Sequence, residues 1–431
     1  MTNGNAGATA LLGMDGFEVL AMTEEAGEVF ISVQTRPEPV GCGACGTRAV
    51  GHGRTRIQIR DLPAGGRPVR LVWAKRRWVC PEADCGTKTF SEDSALVEDC
   101  LTTRAAKDIC RRVGEQGSSV ASVARDFGVG WSTAMAAVTR HGTPLVEDPA
   151  RLGRVSALGV DEHKMLAASR TRNTFYATSF VDVRSGALLD VVRGRNADDV
   201  AYWLAGASPA WRQNIEAVAI DPHRGYLRGI LAQLPNTAVT VDCFHGVKLA
   251  NTAIDDVRRR VQQAVLGHRG HRDDPLYRTR RLMTRGWERL TDRQRDKLLL
   301  GLAQGDPDGE VSATIVGKEL VREMYAAKSY PGARRALVRF YEHVAGAEVP
   351  ELTRLARTIS AWESEVLNYH VTHISNGPTE ARNLVTEKIR RIGHGFRNFA
   401  NYRLRLLLHS GVQWNTPVTA RIRGRHPQLA A

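Results

Sequence analysis

Three acidic residues stand where carboxylates can hold a divalent cation: Asp161 in Ala-Leu-Gly-Val-Asp-Glu-His, Asp221 in Val-Ala-Ile-Asp-Pro, and Glu380 in Ser-Asn-Gly-Pro-Thr-Glu. Each Asp closes a short apolar run that reads as a buried strand, and the Glu follows a Gly-Pro break and opens a basic helix. Carboxylates at strand ends and a helix start can converge on a pair of Mg2+ (or Mn2+) ions. Such a pair activates water or a 3′ hydroxyl for in-line attack on phosphate, so the pattern points to the cutting and joining of phosphodiesters. Glu162 and His163 flank the first Asp, and His223 follows the second; these are expected to be structural.

A second constellation is built from thiols. Cys42-Gly-Ala-Cys45 and Cys80-Pro-Glu-Ala-Asp-Cys85 form two short knuckles, each offering two thiolates to a tetrahedral Zn2+, and glycines 41, 43 and 46 permit the tight turns this needs. Cys100 and Cys110 have no partner at ligand spacing and are expected as semi-buried thiols in helical sequence. Seven cysteines in 431 residues, an odd and small number, exclude a disulfide scaffold.

Several elements must position these groups. Between the knuckles, residues 67 to 79 read as a strand carrying Arg70, Lys75, Arg76 and Arg77. From Ser119, the apolar spacing of Val120, Val123, Ala124 and Phe127 predicts a helix that Gly128 breaks, and a second helix runs from Trp131 to Arg140. That is the pattern of a helix-turn-helix, in which Trp131, Ser132 and Thr133 would face the major groove. Pro144 to Pro149 reads as a linker.

Beyond the linker come strands over 155–161, 174–183 and 187–193, a helix capped by Asn196, a strand over 215–221, a helix over 225–234 and a strand over 238–242. Three strands in meander followed by helix, strand, helix and strand is the order of a ribonuclease-H-like fold. There the first strand lies centrally beside the fourth, which makes neighbours of Asp161 and Asp221. Asp242 also ends an apolar strand and competes with Asp221 as a ligand. Topology favours Asp221 and leaves Asp242 and His245 to support the site or position substrate. From Val247 to Tyr369 the chain turns helical, polar and Arg-rich, with Trp287 and Trp362 as expected core anchors and Gly301 to Gly309 as a flexible joint.

The formal net charge is +14, which implies a polyanionic partner. From Glu380 onward ten basic side chains, among them Arg390, Arg391 and Arg397, face only two acids and are interleaved with Phe396, Phe399 and Tyr402. That composition predicts contact with a DNA backbone beside the carboxylates. No apolar run approaches the roughly 20 residues that span a bilayer, which argues against a membrane partner, and the N-terminus lacks the features of a signal peptide. A cytoplasmic location is expected.

Two blocks carry a resemblance to a known family. Asp242-Cys243-Phe244-His245-Gly246-Val247-Lys248 and Ser375-Asn376-Gly377-Pro378-Thr379-Glu380, the latter followed by Ile389 to Phe399, resemble the ISL3-type transposases of bacterial insertion sequences. The likeness covers nearly the whole chain, though Ala381 and Arg382 stand where smaller residues are expected before Asn383. It implies a nucleoid-associated DDE transposase with Asp161, Asp221 and Glu380 as its metal triad, acting on terminal inverted repeats and target DNA as a homodimer or higher oligomer.

The expected architecture is multidomain, α+β and α/β. It runs as an N-terminal segment (1–39), a zinc ribbon (40–95) and a helix-turn-helix domain (96–143), then a ribonuclease-H-like core (150–246 and 371–415) interrupted by a helical insertion (247–370), and a basic tail (416–431). Two rival readings share these features: a DNA-binding regulator that has lost catalysis, and a nuclease of the same fold that cuts without joining.

Overall fold

The computed structural model of the chain describes residues 3–171 and 173–414, so the basic tail with Arg421, Arg423 and Arg425 lies outside the described residues. The chain divides into two compact units. One comprises the residues up to Arg151, Ile392–His394 and those from Ala400 onward; the other comprises Leu152–Arg391 and Gly395–Phe399.

The first unit opens with α1 (Asn3–Leu12), β1 (Phe17–Glu25), β2 (Glu28–Thr35), β3 (Val50–Ala64), β4 (Arg67–Val79), β5 (Thr89–Ser91), β6 (Val97–Glu98) and β7 (Leu101–Thr102). Over the first half of β4 every second residue, Val69, Leu71 and Trp73, is buried, as a half-buried strand requires. The sheet order is β1-β2-β4-β3-β7-β6, with β2 parallel to β4 and β5 paired on β4. The N-terminal segment therefore does not stand apart from the cysteine-bearing region. Val29, Ile31 and Val33 of β2 alternate inward and need the same cover as β4, so the two strands share one core with Phe17 edge-on to Trp73. Arg70 and Arg76 serve this sheet directly: Arg70 pairs with Glu28 at 2.9 Å, and Arg76 donates to the carbonyls of Thr35 and Arg36 at 2.8 Å.

Three helices follow: α2 (Thr103–Gly114), α3 (Val120–Asp126) and α4 (Trp131–Glu147). Ser119 caps α3 by accepting from the Ser122 amide, and Gly128 turns the chain with φ +63°, a conformation other residues enter at a cost. The expected linker at Pro144 is instead part of α4. Proline removes one hydrogen bond there, while Val138, Gly142 and Val146 stay buried along the helix and hold it together. Cys110 is buried as expected, but Cys100 is exposed in a turn before β7.

The second unit contains β8 (Ala157–Leu166), β9 (Phe175–Asp182), β10 (Leu188–Arg193), α5 (Ala197–Gly206), α6 (Pro209–Gln213), β11 (Ala217–Ile220), α7 (Arg224–Gln233), β12 (Ala238–Val241) and α8 (Cys243–Leu266). The sheet order is β10-β9-β8-β11-β12, antiparallel among the first three and parallel from β8 through β12. All four residues of β11 are buried, as befits a parallel strand covered on both faces. Asp161 does not end its strand: β8 runs on to Leu166 against β9 alone, whereas the ladder with β11 stops at Val160 and Ile220. The first Asp thus marks the end of the parallel pairing.

The helical region continues through α9 (Pro275–Met283), α10 (Asp292–Gly305), α11 (Glu310–Ala326), α12 (Tyr330–Ala347), α13 (Pro350–Ala361), α14 (Glu363–Leu367) and α15 (Tyr369–Thr372). One apolar cluster extends from Val160 and Ile220 in the sheet, through Ile254 and Val257 of α8, to Val321, Phe340 and Leu352. Trp362 is buried in this cluster, but Trp287 is 38% exposed beneath the Arg295 guanidinium and anchors no core. The expected joint at 301–309 is mostly helix: α10 runs to Gly305, and Gly301 lies against Thr279 where a side chain would not fit. Only a short loop remains, in which Asp306 accepts from the amides of Val311 and Ser312 at the start of α11.

The chain then forms α16 (Gly377–Ile392) and α17 (Phe399–Ser410). From Ala400 onward α17 belongs to the first unit, where Leu408 packs beside Gly114 and Gly142, and Arg405 donates to the Ser118 carbonyl at 2.8 Å. Tyr402 is fully buried and Arg405 is 3% exposed, so neither forms the basic contact surface expected of them. Their apolar neighbours, Leu404 and Leu406 to Leu408, make this helix a core element.

Candidate active site

Register in the parallel sheet brings the first two acids together. Val160 pairs with Ile220 and Ile220 with Val241, so Asp161, Asp221 and Asp242 each follow a paired residue at the same end of three adjacent strands. That end is where open parallel sheets bind ligands. Asp242 also caps α8, accepting from the Phe244 amide at 3.2 Å, which places His245 on the first turn. Glu380 arrives on the first turn of α16, which lies against β8 closely enough that a side chain at Gly159 would collide with Thr379 Oγ1.

The carboxylates are extensively held. Asp161, 7% exposed, accepts from the Glu162 amide at 2.7 Å and from Asn383 Nδ2 at 2.6 Å. Asp221 accepts from Asn376 Nδ2 at 3.1 Å and lies 2.9 Å from His245 Nε2. Asp242 accepts the backbone amide of Asn376 at 3.2 Å. Burial, and then the charge of Asp221, push Asp161 up to about 7. Burial and the Asp242 carboxylate raise Glu380 as well. The hydrogen bond to Asp221, with Asp242 nearby, pushes His245 up to about 10, so in the absence of an added cation the ring itself supplies positive charge.

Sequence spacing did not single out Asn376 and Asn383 as partners of these acids. One signal was available: Asn383 lies three residues after Glu380, on the same face of α16. The flanking residues have partners within the fold. Glu162 faces Arg195 at 3.4 Å, His163 bonds Ser179 Oγ at 3.1 Å, and His223 caps α7 by accepting from the Tyr226 amide. Burial pushes His163 down to about 4.

Among the described residues, two groups have ligand atoms mutually within 4.8 Å. One is Asp242, His245 and Glu380; the other is Cys42, Cys45, Cys80 and Cys85. The predicted set of Asp161, Asp221 and Glu380 does not form such a group, although Asp161 and Asp221 interact across the β8–β11 edge.

The thiols fit a zinc ion closely. Cys42 Sγ lies 3.8 Å from Cys85 Sγ and Cys45 Sγ 3.5 Å from Cys80 Sγ, near the roughly 3.8 Å expected between sulfurs bonded at about 2.3 Å to a tetrahedral ion. Hydrogen bonds from Thr47 lower Cys45 to about 6, while burial pushes Cys80 up to about 12.

The predicted recognition residues divide by exposure. Trp131 is 53% exposed at the start of α4, Ser132 is exposed and Thr133 is half-buried. Arg390 and Arg391 both pair with Glu387, at 2.7 and 2.8 Å, and Arg391 keeps 77% of its side chain exposed; Arg397 is exposed. No helix among the described residues is long and apolar enough to cross a membrane.

Aspartates just beyond the parallel ladder of three neighbouring strands, an imidazole and a glutamate on a returning helix gather groups of the kind that can hold a divalent cation beside a sheet edge. Residues 158–406 match the ISL3-type DDE transposase family, described as "Transposase", and this chain belongs to that family. Residues 38–85 match the zinc-finger of transposase IS204/IS1001/IS1096/IS1165. The transposase for insertion sequence element IS1001 of Bordetella parapertussis is 26% identical over 391 residues, covering 89% of this chain and 92% of that protein. Among solved structures, the Drosophila P element transposase strand transfer complex aligns over 74% of this chain and 92% of that one, with 10% identity and a TM-score of 0.38.

Proposed function

We propose that this chain is a DDE transposase with a ribonuclease-H-like core, which cuts the phosphodiester at the end of its insertion sequence and directs the freed 3′ hydroxyl at target DNA. The observation that carries the reading is the meeting, inside the family-matched region, of Asp161 and Asp221 at one sheet edge with α16 bearing Glu380. Asp161 would hold both ions, with Asp221 and Glu380 each holding one. Held there, Mg2+ (or Mn2+) would polarise the scissile phosphate and lower the pKa of the attacking water or hydroxyl. The chain's own groups prepare that pocket: Asn383 fixes one oxygen of Asp161, Asn376 spans Asp221 and Asp242, and His245 balances the charge of Asp221. A helix-turn-helix of α3 and α4, with the zinc ribbon, would recognise the terminal inverted repeats through Trp131, Ser132 and Thr133. Arg390, Arg391 and Arg397 would take backbone phosphates. Two DNA ends must be joined to one target, which calls for a homodimer or larger assembly.

Glu380→Gln tests the chemistry, because it keeps the shape of the side chain and removes its charge. On a short repeat-end duplex with Mg2+, the variant is expected to bind as wild type does yet neither cleave nor join. A variant that still cuts would remove Glu380 from the site, and wild-type protein that binds without cutting would establish a regulator instead. Cutting without a strand-transfer product would establish a nuclease. Recognition is tested separately by Ser132→Ala with Thr133→Ala, expected to weaken repeat-specific binding about 10- to 100-fold while salt-sensitive nonspecific binding persists.

A further inference from the structure

His245 has two ring nitrogens in different circumstances. Nε2 is 2.9 Å from Asp221 Oδ2, a hydrogen bond in which the ring donates. Nδ1 is buried and makes no hydrogen bond, and it stands 3.9 Å from Asp242 Oδ2. That separation is too long for a hydrogen bond, yet it lies within the roughly 4.2 Å that two ligand bonds of about 2.1 Å can span through one ion. Glu380 completes the set, its carboxylate lying within 4.8 Å of ligand atoms on both Asp242 and His245.

A metal-binding histidine ordinarily donates its other ring N–H to a carboxylate, which fixes the tautomer and makes the ligand nitrogen more basic. Asp221 stands in that place, and a ring that keeps its Nε2 proton on Asp221 and gives up its Nδ1 proton to an arriving cation has that nitrogen free on the side of Asp242 Oδ2, 3.9 Å away. We infer that Asp242, His245 and Glu380 form a cation site with a nitrogen ligand, one that takes a transition-metal dication in preference to Mg2+. Imidazole is a poor partner for Mg2+, which favours oxygen and water, whereas a mixed carboxylate–imidazole set suits first-row transition ions. The inference rests on the reading of this pocket as metal-dependent, but it moves His245 from balancing charge to binding the ion, and makes Asp242 a ligand.

Mn2+ is the probe. The full-length protein, loaded with less than one equivalent of Mn2+, is examined by pulsed electron paramagnetic resonance for nitrogen coordination. The zinc ribbon offers only sulfur and contributes no imidazole. Expected is a 14N modulation from a directly bound ring, replaced by the 15N signature when the protein is made with 15N-histidine, a measurement on wild-type protein that needs no variant. His245→Ala is expected to lose the modulation and to bind Mn2+ roughly 10- to 100-fold more weakly, with a smaller change for Mg2+. Mn2+ bound without nitrogen coupling, or coupling that persists in His245→Ala, would overturn the inference and leave a carboxylate-only metal site standing. Wild-type protein that takes up no Mn2+ would overturn both the inference and the metal-dependent reading beneath it.

Discussion

The two ligand clusters solve the same electrostatic problem in opposite ways. In the ribbon, four sulfurs face one another within 4.8 Å and would take their counter-charge from a bound ion. In the carboxylate pocket the protein provides its own counterweights: His245 against Asp221, and the amides of Asn376 and Asn383 on Asp221, Asp242 and Asp161. A centre of the first kind depends on its ion for structure. A centre of the second kind is shaped by packing and hydrogen bonds before an ion or substrate arrives, which is the preorganisation that phosphoryl transfer requires.

The largest effect expected from this difference is in the ribbon. Purified protein should carry about one Zn2+ per chain, and Cys42→Ser with Cys45→Ser should lose it and unfold the N-terminal domain. Metal analysis and limited proteolysis read both, and undamaged protein free of zinc would break the comparison at once. The carboxylate pocket should answer to packing instead. Gly159→Val drives a side chain into Thr379 Oγ1 and the start of α16. Overpacking of this kind costs roughly 1–3 kcal/mol, and each kcal/mol lowers the Tm of a unit of this size by about 2–4 °C. Cleavage should fall further than stability does, because Glu380 and Asn383 ride on the displaced helix.

The smallest effect is in the pH dependence of the Mg-free protein. Asp161 is raised from 3.8 to about 7, chiefly by burial, so the fold favours its neutral form. That contribution is complete below the unfolded pKa and is lost as pH rises through about 7. The Tm of wild-type protein in Mg-free buffer should therefore fall between about pH 4 and 7 and level off above, and Asp161→Asn should flatten the fall. An equal slope in the variant would assign it to another group.

The sequence by itself determined the elements whose signals are local. Paired cysteine knuckles, the strand of residues 67–79, the Gly128 break between two helices, and the alternation of strands and helices after residue 155 follow from turn chemistry and hydrophobic period. They are found close to their expected bounds. Local signals misled where distant burial overrode them. Pro144 sits inside α4 because its neighbours are packed, Gly301 marks a helix contact instead of a joint, and α17 turns from a basic contact surface into a core helix. Only the tertiary structure decided which acids and amides meet. Asn383 and Asp161 are 222 residues apart and share a hydrogen bond, and His245 lies between Asp221 and Asp242 because a parallel strand register aligns two strand ends under the first turn of α8. No periodicity within one segment encodes such a meeting, since it depends on the register between strands and on the depth at which α16 lies against Gly159.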